Sequence, residues 1–130
     1  MLDHIGFSVA ELKRSKTFYE KALAPLGIVK ILELSAEQTG GSGHVGFGED
    51  GKPYFWIGDN ADGILRGALH VAFVAADRAA VDAFHRAALA AGGRDNGAPG
   101  LRAQSHPDYY GAFVLDPDGH NVEAVCHRPA

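Results

Sequence analysis

A single internal repeat at an offset of 66 residues is the feature that most constrains how this chain folds. His4 and His70 each begin a short, strand-like apolar segment, and they are separated by about half of the 130 residues. The same offset aligns further residues without a gap, namely Phe18 with Phe84, Leu23 with Leu89 and Gly27 with Gly93. A chain that repeats once at this length predicts two matched structural modules.

Each half of the repeat has the pattern of a strand, a helix and three further strands. After the first strand, apolar residues recur at steps of three and four, which is typical of a helix with one buried face. Glycine is expected to end both helices, at Gly27 and at Gly92-Gly93, and Asp77 is placed to cap the start of the second. The further strands are predicted at residues 28–34, 43–48 and 54–58, and at 101–105, 112–115 and 121–127.

The predicted fold is α+β, made of two tandem βαβββ modules with mixed sheets. Neither sheet can bury both of its faces alone, so we expect the sheets to lie side by side with the helices outside. The two sheets would then enclose a shared concave cavity. The length suits one domain of residues 1–130, divided into modules 1–64 and 65–130, with the Asp62-Gly63 neighbourhood as the link.

The composition excludes several classes of partner. The 12 basic and 16 acidic residues give a net charge of -4, and neither sign forms a run that would follow a phosphate backbone, so no nucleic-acid partner is expected. A single cysteine, Cys126, rules out an internal disulfide and fits a reducing compartment. No signal segment or bilayer-spanning apolar stretch is visible, so we expect a cytoplasmic protein without a membrane partner.

Three residues form a candidate metal site. Side chains alternate along a strand, so Val122, Ala124 and Cys126 should face the helix. Glu123 should then face the cavity together with His4 and His70. A buried carboxylate is costly unless it is paired, and a divalent cation shared with two imidazoles would pair it. The alternative is that both histidines are structural and the glutamate is solvated.

Two stretches of the chain resemble the vicinal oxygen chelate superfamily, which includes glyoxalases, bleomycin-resistance proteins and extradiol dioxygenases. They are the helix segment Ser15–Leu23 and the terminal segment Asp116–Glu123, and the paired modules extend the resemblance over essentially the whole chain. The resemblance implies that His4, His70 and Glu123 match three of four ligand positions. It also implies a divalent metal (Fe, Mn, Ni or Zn), a small-molecule substrate chelated through vicinal oxygens, and a homodimer.

At two positions the chain departs from the patterns of that superfamily. The repeat places Phe55 or Ile57 at the fourth ligand position, where a glyoxalase I is expected to have a metal-binding carboxylate that also acts as base. Extradiol dioxygenases instead use two histidines and one glutamate, which is the set present here. However, Phe113 occupies the place of the tyrosine expected in the dioxygenase motif, and phenylalanine cannot hydrogen-bond to a substrate.

The remaining candidates are catalytic and pocket-lining residues. His106 is a candidate acid-base group, with a substrate ligand and a surface loop residue as alternatives, and Tyr109 or Tyr110 could supply the hydrogen bond that Phe113 cannot. Phe55, Ile57 and Phe113 are expected to line an apolar pocket. Together these features predict a metal-dependent enzyme, of either the lyase or isomerase type or the ring-cleaving dioxygenase type. The alternative is a protein of the bleomycin-resistance type, which binds a small molecule without turning it over.

Overall fold

The two halves of the chain form the same series of elements in a computed structural model, which describes residues 1–59, 65 and 69–130. The first half contains β1 (Ile5–Ser8), α1 (Leu12–Leu23), a 3-10 turn (Ala24–Leu26), β2 (Val29–Leu34), α2 (Ala36–Thr39), β3 (His44–Glu49) and β4 (Lys52–Gly58). The second half contains β5 (His70–Val74), α3 (Arg78–Ala90), β6 (Arg94–Leu101), β7 (Tyr110–Leu115) and β8 (Asn121–Cys126). Apart from the short helix α2, each half has the order βαβββ.

Each half forms its own four-stranded mixed sheet. The strand orders are β1-β4-β3-β2 and β5-β8-β7-β6, so the two sheets have the same topology. In both sheets the first strand pairs in parallel with the last strand of its half, and the other neighbours are antiparallel. The predicted α+β fold with tandem βαβββ modules is therefore confirmed.

The helix ends are set by local hydrogen bonds, as the sequence predicts. The Asp77 carboxylate accepts a bond of 2.8 Å from the Ala80 amide at the start of α3. At its end the Gly93 amide donates to the Ala88 carbonyl at 2.9 Å. Gly27 ends the 3-10 turn after α1 with a φ of 78°, a left-handed conformation that glycine adopts without the steric cost of a Cβ.

One hydrophobic core includes residues from both halves. Helix α1 buries Phe18 and Tyr19, helix α3 buries Val81 and Phe84, and the two helices contact each other. The ring centroids of Phe55 and Phe73, from different sheets, lie 5.1 Å apart. Each sheet remains open, and the helix-facing sides of both sheets contribute to this core.

The turn between β7 and β8 joins the second half to the first. Asp116 is 2% exposed and accepts a hydrogen bond of 2.5 Å from the Tyr19 hydroxyl on α1. Its other carboxylate oxygen accepts from the amides of Asp118 and His120, both at 2.9 Å. Burial and the negative charge of Asp116 raise the pKa of Tyr19 well above its usual value, so the phenol stays a hydrogen-bond donor at neutral pH.

The sequence-based prediction of the first strand after α3 is wrong. A strand was expected at residues 101–105, but β6 spans Arg94–Leu101 and the chain leaves the sheet at Arg102. The β6 segment contains Gly97, Pro99 and Gly100, which are residues typical of turns. Proline and glycine are tolerated here because β6 lies at the edge of its sheet, where backbone amides need no partner strand.

Part of the region between the two halves lies outside the described residues. The Asp62-Gly63 neighbourhood, which was expected to link the modules, belongs to that part. Leu65 is described, and its amide donates to the Ser8 carbonyl at 3.2 Å while its carbonyl lies 2.9 Å from the His120 ring. Among the described helices, none has the length and apolar character needed to cross a bilayer.

Candidate metal centre

Glu123 is the buried acid around which the candidate site is built. Its neighbours on β8, Val122 and Ala124, point into the core, so Glu123 lies on the opposite face of the sheet. Even there it is only 1% exposed, because other side chains cover it. The His70 Nε2 atom lies 3.0 Å from Oε1, and the Tyr109 hydroxyl donates a hydrogen bond to Oε2.

The strand register explains why these side chains meet. His70 lies two residues before Ala72, which is the residue directly beside Glu123 in the parallel pair of β5 and β8. On the other side, β7 contributes Gly111, and a Cβ at this position would lie 3.0 Å from Glu123 Oε2 and 3.1 Å from the Tyr109 ring. The absence of a side chain at Gly111 therefore leaves the space in which the tyrosine reaches the glutamate.

Tyr109 donates a hydrogen bond to Glu123 and keeps its own proton. Burial of its phenol, and then its hydrogen bond to the carboxylate, raise the pKa of Tyr109 to about 12, with a small opposing effect from the charge of Arg102. The phenol is therefore neutral at pH 7 and can donate to one oxygen of Glu123, leaving the other oxygen directed at His70.

The pair of His70 and Glu123 has a donor set and spacing that fit a divalent cation. Imidazole nitrogen and carboxylate oxygen are ligands that transition metals and zinc accept. Two such atoms about 2.1 Å from one ion and at right angles would lie roughly 3 Å apart, and the observed separation is 3.0 Å. A hydrogen bond also accounts for this distance, so the fit allows a metal without requiring one.

His4 does not join this pair within one chain. It precedes β1, its side chain is 61% exposed, and its Nδ1 atom lies 2.7 Å from the Asp3 carboxylate. Lys52 hydrogen-bonds the same carboxylate at 2.7 Å and, with His4, lowers the pKa of Asp3. In the described part of the chain, no three His, Cys, Asp or Glu side chains are grouped closely enough to hold a metal.

The position equivalent to Glu123 in the first half is Trp56, which corrects the sequence alignment that placed Phe55 or Ile57 there. In the second half Ala72 pairs with Glu123, and in the first half the equivalent Gly6 pairs with Trp56. Phe55 and Ile57 have no exposed surface and point into the core. Tyr54, Phe55, Trp56 and Ile57 are all apolar, so no alternation in the sequence separates Trp56 from its core-facing neighbours.

Glycines make room for the Trp56 side chain. A Cβ at Gly46 would lie 2.9 Å from the indole Cη2 and Cζ2 atoms, and one at Gly6 would lie 3.2 Å from the tryptophan Cβ. A cavity of about 200 Å³ beside the indole is also lined by Ser8 and His44. The first half therefore presents an aromatic surface where the second half presents a carboxylate.

The three predicted pocket residues lie in different places. Phe55 lines a separate cavity of about 290 Å³ between β1 and β5, and Ile57 borders the cavity beside Trp56. Phe113 pairs directly with Glu123 across β7 and β8 and lies on the same face of the sheet. Its ring stacks with His70 at a centroid distance of 6.1 Å. Only Phe113 therefore adjoins the pair of His70 and Glu123.

The predicted catalytic residues also lie in different parts of the structure. Tyr110 points to the helix side, where its hydroxyl donates to Asp82 at 2.7 Å. His106 accepts a hydrogen bond of 3.1 Å from the Asp108 amide, and its ring packs against His127 at 5.5 Å. Tyr109 also packs against His127, at 5.1 Å, so the rings of His127 and Tyr109 lie between the His106 ring and Glu123.

Comparisons with known proteins agree on one family. Residues 1–124 match the model of the Glyoxalase/Bleomycin resistance protein/Dioxygenase superfamily. No curated protein matches this chain. A crystal structure of a glyoxalase/bleomycin resistance protein from Albidiferax ferrireducens T118 is 28% identical, with a TM-score of 0.75 and 98% of each chain covered.

Two more distant crystal structures share the fold. A glyoxalase/bleomycin resistance protein/dioxygenase family enzyme from Burkholderia phytofirmans PsJN is 18% identical, with a TM-score of 0.69 and 98% of each chain covered. Glyoxalase I from Zea mays is also 18% identical, with a TM-score of 0.69. In that comparison 99% of this chain covers 45% of the maize chain.

Proposed function

The chain belongs to the Glyoxalase/Bleomycin resistance protein/Dioxygenase superfamily, and on that basis we propose that it is a metal-dependent enzyme acting on a small molecule. Its metal ligands are His70, Glu123 and His4, and its substrate binds through two adjacent oxygen atoms. The metal is a divalent ion such as Fe, Mn, Ni or Zn. The reaction is a lyase or isomerase step, or the cleavage of an aromatic ring by dioxygen.

The observation that carries this proposal is the burial of Glu123. A carboxylate that is 1% exposed has lost most of its hydration, and its partners in the described structure are one phenol and one imidazole. Replacing water by a divalent cation would offset the cost of burying this charge. The half-exposed His70, at 44%, remains accessible from the open side of the sheet.

We assign the third ligand, His4, to a second copy of the chain. Each copy presents two separate groups of candidate residues, one near the start of β1 and one around Glu123 on the other sheet. A two-fold dimer makes every contact twice, so two such copies would form two equivalent composite sites. In this arrangement the exposed His4 of one copy would reach the site of the other copy. The second copy would also cover the open sheet face that bears Glu123.

The residues around the centre have distinct roles in this proposal. When bound, the metal polarises the two substrate oxygens and stabilises negative charge that develops on them. Tyr109 orients the Glu123 carboxylate and holds its own proton, since its pKa is about 12. Trp56 provides no base, so the first half lacks the carboxylate that a glyoxalase I type of proton transfer needs.

Metal analysis of the purified protein tests the proposal. Wild-type protein is expected to retain about one divalent ion per chain after dialysis, whereas His70→Ala and Glu123→Ala should each weaken metal affinity by more than about 100-fold, because each removes a ligand. His85→Ala is the matched control, since His85 lies on α3 and pairs with Asp95 instead of Glu123. Unchanged metal content in both ligand variants would show that the assignment is wrong.

A second function, binding without turnover, is favoured by the environment of Trp56. The indole borders a cavity of about 200 Å³ and stands at the position equivalent to Glu123, so it can stack on a flat ring but supplies no metal ligand. A protein of the bleomycin-resistance type would use such a surface to sequester an aromatic compound. In that case the ligand would be released chemically unchanged.

Replacing Trp56 tests the aromatic surface. We expect Trp56→Ala to weaken the binding of 2,3-dihydroxynaphthalene about 3- to 10-fold, because stacking on the indole is lost, and Trp56→Phe to retain most of the affinity. Calorimetry measures the affinity, and chromatography of the recovered naphthalenediol separates turnover from sequestration. Equal affinity in wild type and Trp56→Ala would show that Trp56 does not contact the ligand.

A further inference from the structure

We propose that Arg102 is an anion-binding residue of this site, and that the ligand is therefore a small organic acid. The inference rests on the proposed function, which places the ligand on the sheet face of Glu123, and adds the chemical class of the ligand. The acid group, a carboxylate or a phosphonate, binds the Arg102 guanidinium while the rest of the molecule extends towards His70 and Glu123.

The first support is that Arg102 has no acidic partner among the described residues. The arginines that form ion pairs there are Arg14 and Arg78. Arg102 instead donates to backbone carbonyl oxygens, from Nη2 to Ala98 at 2.8 Å and from Nη1 to Leu101 at 3.4 Å. A guanidinium has five N–H donors, so several remain available for an anion.

The second support is that the backbone holds this guanidinium in place. The Arg102 amide donates to the Tyr109 carbonyl at 2.7 Å, where the chain leaves β6. A Cβ at Gly97 would lie 3.4 Å from Nη2, and one at Gly100 would lie 3.0 Å from Nη1. Gly97 also has a φ of 152°, which side chains rarely adopt. Two glycines on β6 thus keep open the space that the guanidinium occupies.

The third support is the position of Arg102 relative to the candidate ligands. Its Cζ atom lies 5.5 Å from the centroid of the Phe113 ring, and the same ring stacks with His70 at 6.1 Å. Phe113 is directly opposite Glu123 in the strand register. Arg102 follows β6 and Glu123 lies on β8, which are two strand spacings, or roughly 10 Å, apart. A small organic acid can span this distance between the guanidinium and the pair of His70 and Glu123.

The chemistry of arginine favours a planar acid group at this point. Its rigid fork of N–H donors matches the two oxygens of a carboxylate, or two oxygens of a phosphonate, in a bidentate contact. The Phe113 ring beneath the guanidinium excludes water from one side and offers an apolar surface for the carbon skeleton of the ligand. A neutral ligand of the same shape would leave the charge of Arg102 unmatched.

Binding of matched probes to metal-free protein tests the inference. The probes are benzoate, phenylphosphonate and the neutral benzamide, titrated by calorimetry into EDTA-treated protein at low salt. At least one anion is expected to bind about 10- to 100-fold more tightly than benzamide. The comparison of benzoate with phenylphosphonate identifies which acid group the site takes.

Variants of two arginines on the same β6 hairpin assign the binding to Arg102. Arg102→Gln should reduce affinity for the preferred anion about 10- to 100-fold, and Arg102→Lys should restore part of it. Arg94→Gln removes the same charge from an exposed residue at the other end of β6 and should change nothing. Circular dichroism spectra and thermal melting confirm that each variant is folded.

The outcomes separate this inference from the proposed metal centre. Glu123→Gln should weaken metal binding more than about 100-fold, and it should strengthen anion binding to metal-free protein, because it removes a nearby negative charge. Selective anion binding without any metal site would contradict the proposed function alone. Equal binding of benzoate, phenylphosphonate and benzamide, no saturable binding of any probe, or unchanged binding in Arg102→Gln would overturn the anion site.

Discussion

Mixing chains that carry His4→Ala with chains that carry Glu123→Gln is expected to restore about a quarter of the wild-type metal sites, although neither variant alone binds metal tightly. In a two-fold dimer with composite sites, about half of the randomly formed dimers contain one chain of each variant. Such a hybrid has one site with both substitutions and one site with none. Metal content of the unfractionated co-expressed mixture measures this recovery, and hybrids isolated through two different affinity tags should retain about half of the wild-type sites.

The matched control combines two substitutions from the same side of the composite site. A mixture of His70→Ala and Glu123→Gln chains should recover no metal binding, because every site in the hybrid contains one of the two defects. Recovery in the control mixture would show that the sites are assembled differently. If neither mixture recovers metal, His4 does not contribute to a site across a dimer interface.

Replacing Asp116 is expected to cause the largest loss of stability. Asp116→Ala should lower the free energy of unfolding by about 3 to 5 kcal/mol, because it breaks a buried polar network. The substitution leaves the Tyr19 hydroxyl without its acceptor and removes the partner of two turn amides, those of Asp118 and His120. The buried His120 ring, whose Nδ1 atom lies 3.3 Å from the carboxylate, also loses this contact.

Urea denaturation followed by circular dichroism measures the effect of Asp116→Ala. A partly exposed acid, Asp108, is the matched control, and Asp108→Ala should change stability by less than about 1 kcal/mol, because its ion pair with Arg78 at 4.0 Å is accessible to solvent and such pairs contribute little. Tyr19→Phe should have an intermediate effect of about 1 to 2 kcal/mol. A loss for Asp116→Ala no larger than that of the control would contradict a structural role for this network.

The parts of the fold that could be predicted are those where neighbouring residues determine the structure. The helix stripe around Phe84, its cap at Asp77 and its end at Gly93 depend on contacts within a few residues, and they appear as expected. In contrast, β6 was misplaced because Gly97 and Pro99 are typical of turns. Only the pairing of this segment with β7 makes it an edge strand.

The candidate site was predictable in part for the same reason. The alternation of side chains along β8 was enough to place Glu123 on the face opposite the core, since this depends on one strand alone. The equivalence of Trp56 with Glu123 depends on the register of β4 against β1, which the different turn lengths of the two halves obscured. The contact of Arg102 with Phe113 could not be predicted, because it joins two separate segments of the chain and no local pattern in the sequence indicates it.

The sequence by itself determined the duplication, the βαβββ order and the face on which Glu123 lies. These follow from periodicity, caps and an ungapped repeat, all of which are local properties of the chain. Only the tertiary structure decided which residues meet: Tyr109 and His70 at Glu123, Trp56 at the equivalent position, and His4 apart from them. The physical reason is that strand register and helix packing are set by contacts between distant segments, and these two sheets share a core without closing on each other.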